Sequence, residues 1–73
     1  MPYQIAAMRE GRHVCTITFR VKRDAFAVAR VCGCLLKFSG PEMDQLDANQ
    51  LRPDWPIVRV EGLDGWVQVK RLE

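Results

Sequence analysis

Hydrophobic and polar positions alternate most regularly over residues 13–22, where Cys15, Ile17, Phe19 and Val21 interleave with Thr16, Thr18, Arg20 and Lys22. A period of two in β-branched and aromatic residues marks a half-buried strand. Residues 3–8 form its expected partner, with Glu10-Gly11 at the turn. A three-residue loop of Arg9, Glu10 and Gly11 puts Tyr3, Ile5 and Ala7 on one face with Ile17, Cys15 and His13. A two-residue Glu10-Gly11 loop would turn Gln4 inward, so the odd loop is expected. Near the other end, residues 57–61 and 66–70 flank Gly62-Leu63-Asp64-Gly65, a strong turn signal. An even loop there pairs Val60 with Val67 and Val58 with Val69 on one face. The other face then carries Glu61 opposite Trp66, Arg59 opposite Gln68 and Ile57 opposite Lys70.

Between the hairpins the period changes. Residues 24–38 read as a helix capped by Asp24 and stopped by Gly40 and Pro41. Phe26, Arg30, Gly33 and Lys37 fall in one narrow sector. The remaining apolar arc spans about 220°, where a surface helix needs only ~100°. Part of that arc must be covered by something besides one thin sheet. Residues 39–56 form an acidic connector, with a short helical turn at 41–46 and proline-bounded irregular chain at 52–56. Met43, Leu46, Leu51 and Trp55 are its expected pins. The expected fold is α+β, in the order ββαββ: a four-stranded, mainly antiparallel sheet with one helix packed on one face. Hairpin 3–22, helix 24–38, connector 39–56 and hairpin 57–70 make one small domain, 1–73.

Composition narrows the picture. No apolar run reaches the ~18 residues of a membrane helix, and no charged-then-apolar leader opens the chain. The 3 cysteines cannot form a closed disulfide set. A reduced, cytoplasmic setting without a membrane partner is expected. Charge is segregated. Residues 1–37 carry seven basic and two acidic side chains, a net of +5, and residues 38–73 carry four and seven, a net of −3. Such asymmetry can steer a charged partner, but internal complementarity between the halves is the favoured reading.

Little catalytic chemistry is indicated. His13, Cys15, Cys32 and Cys34 are the classical soft-metal ligands, yet Cys32 and Cys34 stand about 200° apart on a helix and cannot both face one ion. No metal or cofactor is therefore expected, and Cys15 and Cys32 read as small core residues. His13 and Cys15 share a strand face without a third residue to orient the ring. Acids cluster only in the connector, and no phosphate-cradling glycine loop occurs. The chain reads as a non-enzyme with no catalytic residues.

Two surfaces remain. The first is the sheet face opposite the helix, where the expected registers place Thr16, Thr18, Arg20, Lys22, Arg59, Trp66, Gln68 and Lys70, with Glu61 as the lone acid. Of these, Thr18, Arg20, Lys22, Arg59, Trp66, Gln68 and Lys70 are the candidate partner-binding residues. Tryptophan with arginine typifies a protein hot spot, and basic groups beside an aromatic also suit nucleic acid. The second is the helix, where Ala25, Ala29 and Gly33, four apart, form a shallow groove that a second copy could enter as a two-fold homodimer. The chain thus reads as a small binding or regulatory module acting on a protein partner. A nucleic-acid-binding regulator using the same face is the alternative, and a metal or accessory protein built on Cys32 and Cys34 is a third. In size and layout it resembles the small inhibitors of phages and mobile elements, anti-CRISPR proteins among them, a likeness of fold alone.

Overall fold

The computed structural model describes residues 2–51 and 56–72. Six elements follow in order: β1 (Tyr3–Arg9), β2 (Arg12–Phe19), α1 (Lys22–Leu35), α2 (Gly40–Leu51), β3 (Ile57–Glu61) and β4 (Gly65–Arg71). The strands form one antiparallel sheet in the order β2-β1-β4-β3. Both helices lie on the same side of it. The class is α+β, with two helices where one was expected.

The terminal hairpin has the expected register, Val60 opposite Val67 and Val58 opposite Val69, with Glu61, Arg59 and Ile57 opposite Trp66, Gln68 and Lys70. The first hairpin reaches the expected parity by another route. Its loop is the two-residue Glu10-Gly11, both at positive φ (50° and 77°), as a tight primed turn requires. A bulge then shifts the register between Ala7 and Met8, so that Cys15 faces Ala7 while His13 faces Met8. Tyr3, Ile5 and Ala7 therefore lie opposite Phe19, Ile17 and Cys15, two residues away from the three-residue-loop register. The strand also stops at Phe19 and does not run on to Lys22.

α1 starts two residues earlier than the sequence suggests. Val21 precedes it with no side-chain cap, and Asp24 stands inside the first turn, where its charge favours the positive end. Its stop comes before Gly40. Lys37 takes a left-handed φ of 58°. The Phe38 and Lys37 amides donate to the Gly33 and Cys34 carbonyls, the double bond of a Schellman ending. Gly40 and Pro41 instead open α2. Ser39 caps that helix: its amide and hydroxyl both donate to Glu42 Oε1, at 2.7 and 2.8 Å. These bonds hold the Glu42 carboxyl below its ordinary range. The signal Ser39-x-x-Glu42 was present in the sequence, and it opens a twelve-residue helix in place of the expected short turn.

The core is apolar throughout: among the described residues no polar or charged side chain is buried. Ile5, Ala7, Val58, Val60, Val67 and Val69 line the inner sheet face against Ala25, Phe26, Ala29, Cys32, Leu36 and Leu46. Each large side chain buried there contributes about 1.5–3 kcal/mol. α1 rests on β1 and β4, and α2 packs on α1 and β3. α2 covers the α1 sector that carries Phe26, Arg30 and Gly33. Phe26 and Gly33 are buried, the Phe38 ring occupies the space beside Gly33 and Gly62, and Arg30 pairs with Asp47 of α2. The opposite flank is left bare, with Val31 and Leu35 58% and 60% exposed. Of the expected connector pins, Leu46 is buried and Met43 packs on the core, but Leu51 is 86% exposed. Trp55 lies outside the described residues. No described helix is long and apolar enough to cross a membrane.

Two contacts yield stability predictions. A Cβ on Gly65 would stand 1.8 Å from the Met8 carbonyl oxygen, whereas one on Gly40 would meet nothing within 4 Å. Gly65→Ala should lose about 3 kcal/mol or more in urea unfolding, and Gly40→Ala should stay within about 0.5 kcal/mol of the parent. Lys37→Gly should raise stability by about 1 kcal/mol, because glycine takes the left-handed ending without a Cβ clash; the same titration reads it.

Candidate functional site

The sheet has a second face that neither described helix covers. Parity places twelve side chains on it in three rows across the strands. Thr18, Gln4, Lys70 and Ile57 form the first, Thr16, Ala6, Gln68 and Arg59 the second, and His13, Met8, Trp66 and Glu61 the third. None of the twelve is buried. The central pairing of β1 with β4 sets Met8 directly beside Trp66, so an apolar strip runs through the polar field.

Trp66 is fixed from one side by charge. The Arg59 guanidinium lies over its ring, 4.0 Å from the centroid, and Arg59 Nη2 stands 3.6 Å from Glu61 Oε1. Cation and acid sit two residues apart on β3, hence on the same face, and the indole lies across the strand gap from both. The Arg59–Glu61 pair is too solvent-exposed to add much stability. Its effect is to orient the guanidinium over the aromatic surface. At the far edge, His13 Nε2 and Thr16 Oγ1 are 2.6 Å apart.

Five of the seven candidate partner-binding residues share this face: Thr18, Arg59, Trp66, Gln68 and Lys70. Arg20 and Lys22 do not. β2 ends at Phe19, Arg20 lies in the bend that follows, and Lys22 begins α1. The alternation continues through Lys22 in the sequence, but the chain must leave the sheet to enter the helix. The face therefore carries Arg59 and Lys70 against Glu61, two cations where four were expected. His13 is a further correction. The bulge at Val14 reverses parity there, so the ring lies on the open face and Cys15 on the inner one. Gln4, Ala6 and Met8 belong to the face by the simple alternation of β1, but their neighbours could not be read before the strand order was known.

The remaining sequence candidates lie elsewhere. Ala25 and Ala29 are fully buried against the sheet, and the space beside Gly33 holds Met43 Sδ and the Phe38 ring, 2.9 and 3.0 Å from a Cβ position. The small-residue stripe thus serves packing within one chain, not an open dimer groove. Cys15 and Cys32 meet across β2 and α1 with sulfurs 3.7 Å apart, and Cys34 is exposed. Among the described residues no three His, Cys, Asp or Glu side chains gather as a metal site, and no pocket opens. Comparison with known proteins returns no matching family model, curated protein or solved structure.

Arg59→Ala in a Trp55→Phe background should leave Trp66 more accessible to acrylamide quenching of its fluorescence. The accompanying stability loss should stay below about 1 kcal/mol, as expected for an exposed cation–aromatic contact. Unchanged quenching would show that Arg59 does not cover the ring in solution.

Proposed function

We propose that this chain is a small non-catalytic binding module, a regulator or inhibitor, that docks a protein partner on its open sheet face with Trp66 as anchor. The observation that carries this reading is the uncovered pair of Met8 and Trp66, flanked by His13, Arg59 and Glu61 and bordered by Thr16, Ala6 and Gln68. Strands about 4.8 Å apart and five residues long give a footprint of roughly 15 by 17 Å. That is small beside the ~800 Å² per partner of a standard protein contact. Affinity must then come from one well-placed anchor, and a tryptophan already held by an arginine loses little freedom on binding. Action is by occlusion: the bound module covers the partner surface it sits on.

Charge favours protein over nucleic acid. Two cations against one acid can neutralise about two phosphates, which gives a log–log salt slope near −2 at most. One aromatic also falls short of the two or three that an RNA-binding sheet usually offers.

The test is a pull-down from lysate with and without nuclease, followed by titration of the captured partner. A protein retained after nuclease should bind Trp66→Ala at least ~30-fold more weakly, the loss of a hot-spot residue, and Arg20→Ala about equally to the parent. Loss of the captured material on nuclease treatment would establish nucleic acid as the partner. Equal binding by Trp66→Ala would remove the sheet face from the proposal.

A further inference from the structure

Cys15 and Cys32 are 17 residues apart in sequence, yet their sulfurs lie 3.7 Å from each other. Neither is in a disulfide. Cys15 points from the inner face of β2 and Cys32 from the underside of α1, so the pair sits at the joint between the edge strand and the helix. The two thiols differ in access. Cys32 is 5% exposed, and Cys15 is half-buried. β2 is the outermost strand on that side, and its inner face is incompletely covered, since Ile17, two residues on, is 41% exposed. Cys15 is therefore the more accessible thiol of the pair.

We propose that Cys15 and Cys32 form a redox-active dithiol, oxidised by a low-molecular-weight disulfide such as oxidised glutathione to an intramolecular bridge between β2 and α1. The chemistry proceeds in two exchanges. The Cys15 thiolate attacks one sulfur of the reagent, a Cys15–glutathione bond forms, the reagent's own sulfur–sulfur bond breaks, and the departing thiolate takes a proton. Cys32 then loses its proton to solvent and attacks Cys15 Sγ, which expels the second glutathione. Two electrons pass from the protein to the reagent, with one disulfide consumed and one formed. Burial and the neighbouring Cys15 push the Cys32 thiol up to about 11; the greater exposure of Cys15 assigns it the first attack. The sulfurs must close to about 2.05 Å, a movement open to a side chain on an edge strand. Cys34 is exposed on the far side of the same helix and lies outside the pair.

This site lies on the inner side of the sheet, so its test is independent of the proposed partner face. Folded Cys34→Ser protein is treated with oxidised glutathione at mildly alkaline pH, acid-quenched and weighed by mass spectrometry. The expected product is a monomer lighter by two hydrogens, restored by dithiothreitol. After non-reducing trypsin digestion, which cuts at Arg20, Lys22, Arg23 and Arg30 between the two sites, it should yield the Cys15 peptide joined to the Cys32 peptide. Cys15→Ser/Cys34→Ser should show no such loss. Unaltered protein treated in the same way should give the corresponding linked peptide with cysteine at position 34, its bridge assigned to Cys32 by fragmentation, which guards against a packing change in the variants. A lasting glutathione adduct at Cys15, a disulfide between two chains, a bridge involving Cys34, or no reaction would each overturn the proposal.

Discussion

The pairing of the first strand with the last holds this molecule together. β1 and β4 run antiparallel over seven residue pairs, from Tyr3 opposite Arg71 to Arg9 opposite Gly65. Without it the two hairpins would be separate ribbons, and an isolated hairpin is at best marginally stable in water. With it, Ile5 and Ala7 join Val69 and Val67 in one inner surface wide enough to carry a helix. The approach is tight where Gly65 meets the Met8 carbonyl, a place with no room for a side chain. The pairing is also the least local contact in the fold, so closing it carries most of the loop entropy. The buried valines and Phe26 offset that cost.

The second constraint is α2. A single helix on four strands would leave α1 with more apolar surface than the sheet can bury. α2 settles one flank only. Gly33 lets Phe38 and Met43 come close, and Arg30 pairs with Asp47 at the rim. That ion pair joins the basic first half of the chain to the acidic second half and accounts for part of the charge segregation within one molecule. The pair is exposed, so its value lies in orientation more than in stability. On the other flank Val31, Leu35 and the overhanging β2 remain less covered, and the Cys15–Cys32 contact falls at that joint.

The two sheet faces are thus built for different ends. The inner one is apolar, covered by the helices except along β2, and without buried charge among the described residues. The outer one is mixed, open and organised around an indole under a guanidinium. A helix covering both faces would have stabilised so small a chain further. An antiparallel sheet commonly leaves one face to water in this way.

The residues alone determined the elements with the cleanest periodicity. Four alternating valines and a glycine-bounded turn fixed the register of the last hairpin, because a slip of one residue would have buried Arg59 and Glu61. They also determined that Cys15 and Ile17 share a face with Tyr3, Ile5 and Ala7, and the existence of the first helix. The capping signal Ser39-x-x-Glu42 was equally legible, but low hydrophobicity over residues 40–51 masked the helix it begins. Only the tertiary structure decided what lay next to what. The bulge at Val14 moved His13 to the outer face, since bulges answer to strand twist and pairing more than to local composition. The end of β2 at Phe19 removed Arg20 and Lys22 from the face, because the helix needs those residues for its approach. The neighbouring of Met8 and Trp66, and of Cys15 and Cys32, arises from strand order and helix placement. Such contacts join residues far apart in the chain, and no local pattern encodes them.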